Sequence, residues 1–148
     1  MITRCFVTAE PLDPCAFLRD CTSGSDGAAV LFLVVVRNQN DGRDVGHLDY
    51  QAYPPMAETT LREIAEEAAE KWETGAISLA HRYGRLEIGE VSVAIVVAAP
   101  HRGDAYAASR YIIEELKKRV PIWKREGYLD GESEWLRGQL PEPVREGK

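Results

Sequence analysis

The chain has no hydrophobic run long enough to cross a membrane. Its longest apolar stretch, Ala28 to Val36, is nine residues, against the roughly 20 that a spanning helix needs. The first fifteen residues, MITRCFVTAEPLDPC, contain no apolar core of a secretory signal, so a cytoplasmic protein is expected. Cysteine is scarce: Cys5, Cys15 and Cys21 are the only three. The odd count and the spacing fit neither a disulfide framework nor a zinc template, which leaves free thiols. Glycine-rich phosphate loops, a G-x-S-x-G elbow and paired histidines at ligand spacing are all missing. No cofactor or metal site is therefore expected. Positive charge is also in deficit, with a formal net charge of −6. That excludes the broad basic surface a non-specific nucleic-acid binder needs.

Against this acidic background one stretch is anomalous. Residues 116–126 read LKKRVPIWKRE, and five of the nine residues from Lys117 to Arg125 are basic. A solvated helix end, where cations complement the helix dipole, is the plain account. A local anion site is the alternative.

The 148 residues suit one domain, expected over 1–140, with a loose polar tail, PEPVREGK, over 141–148. A first strand is expected at 3–9 and a short helix at 14–20 capped by Asp13. Ala28–Val36, β-branched and without helical period, reads as a strand buried on both faces. Leu48, Tyr50 and Ala52 alternate in a second strand. The Asn-Asp-Gly loop between the two predicts that they pair as a hairpin. Leu61, Ile64, Ala65, Ala68 and Trp72 form one stripe of a helix over 56–72. Strands follow at 76–82 and 91–99, separated by an excursion with turns at Gly84 and Gly89. A second long helix over 104–119 should stop at Val120, because Pro121 pushes that residue out of the helical region. The result is an α+β fold, with a mixed or antiparallel sheet and two long helices.

Cations recur at element ends. Arg37 follows the apolar strand, and His101-Arg102 precedes the second helix. Lys117 and Lys124 flank Pro121. A fixed guanidinium at a sheet edge suits phosphate or carboxylate, and a helix N-terminus adds anion affinity. His101 and Lys117 lie at opposite ends of one helix, roughly 24 Å apart at about 1.5 Å per residue. They belong to two sites, or to one site shared across a symmetric dimer.

In these motifs the chain resembles the large, catalytic subunit of molybdopterin synthase, the MoaE family. The residues that carry the resemblance run from Gly27-Ala28 through Phe32 and Val36-Arg37 to Asp41-Gly42-Arg43. They continue with Leu48, Tyr50, Ala52-Tyr53, Met56-Ala57, His81-Arg82, Gly84 and Gly89-Glu90. His101-Arg102 and the string Leu116-Lys117…Pro121…Trp123-Lys124…Glu126 complete the series. The resemblance implies a hammerhead-like α/β fold and a sulfurtransferase. Sulfur passes from a Gly-Gly C-terminal thiocarboxylate on a small ubiquitin-like partner to cyclic pyranopterin monophosphate, giving the molybdopterin dithiolene. It implies a homodimer core with a small subunit at each end.

It further implies Lys117 and Lys124 as catalytic residues. Arg37, His101, Arg102, Arg125 and Glu126 join them around the substrate. A lysine crowded by cations and desolvated can move protons near neutral pH, which fits Lys117. Lys124 and Arg37 then hold phosphate or developing negative charge. Three positions depart from the family pattern. Val34 stands where glycine is usual, Gln51 where an acidic residue is usual, and Val35 where some members carry a cation. They leave room for a second reading, a non-catalytic paralogue that only holds the small subunit.

Overall fold

The computed structural model describes residues 2–131 and 133–137. The 141–148 tail lies outside the described residues. In chain order the elements are β1 (Ile2–Thr8), α1 (Pro14–Leu18), β2 (Ala28–Val35), β3 (Gln39–Asn40), β4 (Arg43–Ala52) and α2 (Pro54–Lys71). There follow β5 (Ile77–Arg82), β6 (Gly84–Glu87), β7 (Val91–Ala99), α3 (Arg102–Arg119), β8 (Ile122–Tyr128) and β9 (Ser133–Arg137).

Two sheets result. The first has the order β1-β5-β7-β2. Only its β1–β5 pair is parallel. The second sheet runs β3-β4-β8-β9, with β6 also paired to β4. The α+β expectation therefore holds, with the strands divided between two sheets.

Strand β7 explains how the first sheet is covered. Val93, Ile95 and Val97 join the main core with Leu61, Ile64 and Ile112 of the two long helices. Ala94 and Val96 point the other way, onto Phe17 and Cys21 at α1. Alternate residues of one strand thus serve two cores. Asp13 caps α1 by accepting from the Cys15 and Ala16 amides. Pro54 and Pro55 open α2, where a missing N–H costs nothing. Val120 is extended (φ −74°, ψ 126°) and ends α3, as Pro121 requires.

Three expectations need correction. Strand β2 is not buried on both faces. It is the last strand of its sheet, and Phe32 and Val35 are 38% and 47% exposed. The apolar run predicted burial, but edge position decides it. Nor does β2 pair with β4. Its partner is β7, and the Asp41-Gly42 turn instead closes the small β3–β4 hairpin. Both turn residues have positive φ, 50° and 77°, as a tight hairpin turn demands. Finally, no strand is expected between the second long helix and the 141–148 tail, yet the chain after α3 continues in two. It forms the β8–β9 hairpin, and β8 pairs along β4 from Ala52 to Val45.

Candidate active site

Strand β8 converts the basic run into a site. Lys117 lies in the last turn of α3. The chain turns at Val120-Pro121, and Lys124 and Glu126 then project from one face of β8. On the paired strand, Tyr50 stands opposite Lys124 and Leu48 opposite Glu126. These four side chains line a cleft of about 350 Å³ together with Lys117, and Val34 and Arg37 border it from the end of β2. A smaller recess of about 30 Å³ shares Tyr50, Lys117 and Lys124 with this cleft and is lined as well by His81, Leu116, Val120 and Ile122.

The electrostatics differ between the two lysines. Burial, reinforced by the charge of Lys124, brings the Lys117 ammonium down to about 8. Lys124 is also lowered by burial, and Arg37 adds to this. Glu126 and Asp41 pull it back toward the charged form. Glu126 is buried and its Oε1 accepts from Asn40 Nδ2 at 2.7 Å and from the Tyr128 hydroxyl at 3.1 Å. One lysine thus has carboxylates that favour its charge. The other is crowded by a cation and is the readier to release a proton. Pairs of groups pushed apart in this way suit a division between proton transfer and charge stabilisation.

The remaining candidates separate. Arg37 is exposed at the cleft rim. Arg125 alternates to the other face of β8 and meets Asp49 of β4 at 3.3 Å, so it does not line the cleft. His101 and Arg102 are exposed at the start of α3, a helix length of about 24 Å from Lys117. Within one chain they stand apart from the cleft. Lys118, which drew no role, pairs with Glu115 at 3.1 Å on the outer face.

Sequence reasoning assigned no role to Tyr50, His81 and Asn40. The signal for Tyr50 and Asn40 lay in β8. The alternation of Ile122, Lys124, Glu126 and Tyr128, followed by Asp130-Gly131, is a strand leading into a turn. That strand carries Lys124 to Tyr50 and Glu126 to Asn40.

The fold and the cleft define a small α+β protein in which two lysines, one from a helix and one from a strand, line a single cleft. A family model described as "MoaE protein" matches residues 7–119, and the chain belongs to the MoaE family. It is 40% identical to the molybdopterin synthase catalytic subunit of Bacillus subtilis over 90% of this chain and 85% of that one. It is 47% identical to the Halalkalibacterium halodurans protein of the same name over 77% and 72%. Among solved structures, molybdopterin synthase from Staphylococcus aureus superposes with a TM-score of 0.84 at 40% identity, covering 90% of this chain and 97% of that one.

Proposed function

We propose that this chain is the catalytic subunit of a molybdopterin synthase. It transfers sulfur from the thiocarboxylated C-terminus of a small carrier subunit to cyclic pyranopterin monophosphate. The observation that carries this reading is the convergence of Lys117 and Lys124 in one half-buried cleft with Arg37 at its mouth. An acidic chain has gathered cations where a phosphate-bearing substrate and an anionic donor tail must meet. With Lys117 near 8, about a tenth of the chains hold a neutral amine at pH 7. That amine can take a proton or contact the thiocarboxyl carbon. Lys124, with Arg37, neutralises the phosphate and the charge that develops as sulfur leaves the carrier.

Val34 lines the cleft without closing it, since about 350 Å³ remains. This favours catalysis over a role as a passive holder of the carrier. The functional unit is a homodimer with one carrier at each cleft. The apolar edge of β2, with Phe32 and Val35 uncovered, suits a partner. His101 and Arg102 are then free to serve the cleft of the other copy. The free thiols Cys5, Cys15 and Cys21 accord with a reducing cytoplasm.

The test is to mix the chain with thiocarboxylated carrier and pyranopterin and to measure dithiolene formation. Product is expected from the wild type, and none from Lys117→Ala with fold and carrier binding retained. Carrier binding without product in the wild type would leave only the holder reading standing.

A further inference from the structure

His81 is fully buried on β5 in a polar role that the proposed reaction does not use. Its Nδ1 lies 2.8 Å from the Arg82 carbonyl oxygen. A carbonyl can only accept, so Nδ1 carries the proton. Burial holds the imidazole near a pKa of about 4, so the ring is neutral at pH 7. In a neutral imidazole with Nδ1–H, Nε2 is a bare acceptor. The ring is fixed on its other side by an edge-on contact with Tyr50, with centroids 5.1 Å apart. His81 also lines the 30 Å³ recess together with Lys117 and Lys124, and Lys117 is near enough for its charge to bear on the imidazole. The other walls of that recess, Leu116, Val120 and Ile122, are apolar. A space of that size accommodates one water, provided polar partners surround it.

We propose that His81 is the positioning residue for Lys117. Its Nε2 accepts, through one water in the recess, the hydrogen bond that aims the Lys117 amine into the cleft. Tyr50 and the Arg82 carbonyl lock the ring, so the direction of that bond is fixed by the fold. Lys117 would otherwise be a flexible four-carbon stem, and among the described residues no carboxylate is paired with it; Glu126, in the same cleft, instead accepts from Asn40 and Tyr128. Facing it are Lys124 and Glu126 from β8, Tyr50 from β4, His81 from β5 and, at the cleft rim, Arg37. The Tyr50 hydroxyl both donates and accepts, whereas His81 Nε2 carries no proton and can only accept. This inference rests on the reading of Lys117 as the reactive amine, but its test does not depend on sulfur transfer.

The first measurement is imidazole ¹⁵N NMR of the wild-type chain beside Lys117→Ala. His81 should show the Nδ1–H tautomer, and its Nε2 resonance should shift when the amine is removed. The second is competitive amine labelling against pH, read at Lys117 by mass spectrometry, for wild type and His81→Phe. Phenylalanine keeps the ring against Tyr50 and removes the acceptor. An acceptor favours the ammonium, so its loss should lower the Lys117 midpoint by about half a pH unit or more. In turnover, His81→Phe should lose about tenfold in kcat with KM nearly unchanged. An Nε2–H tautomer, or an Nε2 resonance indifferent to Lys117→Ala, overturns the proposal even if His81→Phe does not fold. An unchanged labelling midpoint in a folded His81→Phe does the same. Failure of sulfur transfer in the wild type, with both NMR and labelling as expected, would instead sink the assigned reaction.

Discussion

Lys117 and Lys124 reach one cleft from a helix and from a strand, and the charge of Lys124 helps hold Lys117 near a pKa of about 8. Removing the second cation should therefore raise the first. In Lys124→Ala the Lys117 labelling midpoint moves upward, toward the ordinary 10.5. The shift is partial, because burial is the larger cause and remains. Labelling against pH reads it directly.

The same depression makes Lys117 a cost to the fold. Above 10.5 the group is neutral whether the chain is folded or not. As pH falls toward about 8, the unfolded chain takes up the proton and the folded one resists, so stability drops. The full cost is present at pH 7. Lys117→Met should raise stability there by about 1–2 kcal/mol, discounted for the partial access of solvent to the cleft. The gain should vanish above pH 10.5. Urea denaturation at two pH values measures both. A variant less stable than wild type at pH 7 would contradict the burial argument.

Glu67 ties the two long helices together. Arg119 grips both of its oxygens, at 2.7 and 2.8 Å, and the Tyr111 hydroxyl donates to Oε1 at 2.6 Å. These bonds hold the Glu67 carboxyl down at about 2. The stabilisation is complete above the usual 4.5 and is lost as pH falls toward about 2. The pair is partly exposed, so Glu67→Gln should cost only about 1 kcal/mol at neutral pH. Denaturation curves of wild type and variant should draw together as pH falls below 4.5 and converge only near the folded value of about 2.

At Gly27 the chain passes so close to Pro100 that an added Cβ would sit 2.5 Å from its carbonyl oxygen. The neighbour is backbone and cannot swing aside. Gly27→Ala should destabilise the start of β2 by about 1–3 kcal/mol. Thermal unfolding with an intact Lys117 labelling profile would place the damage in the scaffold.

If sites are shared across a dimer, complementation follows. His101→Ala and Lys117→Ala homodimers should both be inactive. Mixed dimers should recover about one working site in two. No recovery after subunit exchange would place each site within one chain.

The long helices and β7 were legible because burial on one stripe or on two faces writes itself into periodicity. Leu61, Ile64 and Ala68 fall at helical spacing, and all are fully buried. Strand β2 misled because an apolar run does not say whether its neighbours come from the same chain. Strand β8 was hidden by charge. Lys124 and Arg125 look like surface, yet one faces the cleft and the other faces Asp49. The lysine pair was legible by motif resemblance, its cleft only through pairing across the long separation from β4. His81 was visible as part of a motif, but its place in one recess with Lys117 depends on how β5, β4 and α3 meet.

The link from Pro121 to Lys124 has a parity. Strand side chains alternate, so Lys124 and Glu126 share the cleft face while Trp123 and Arg125 take the other. Inserting or deleting one residue in this link would exchange the two sets. An indole and a guanidinium would then face Tyr50, and both amino groups of the pair could not meet. Two residues would restore the facing at the expense of a displaced register with β4. The spacing between the lysines is thus a counting constraint on the chain, as binding as their chemistry.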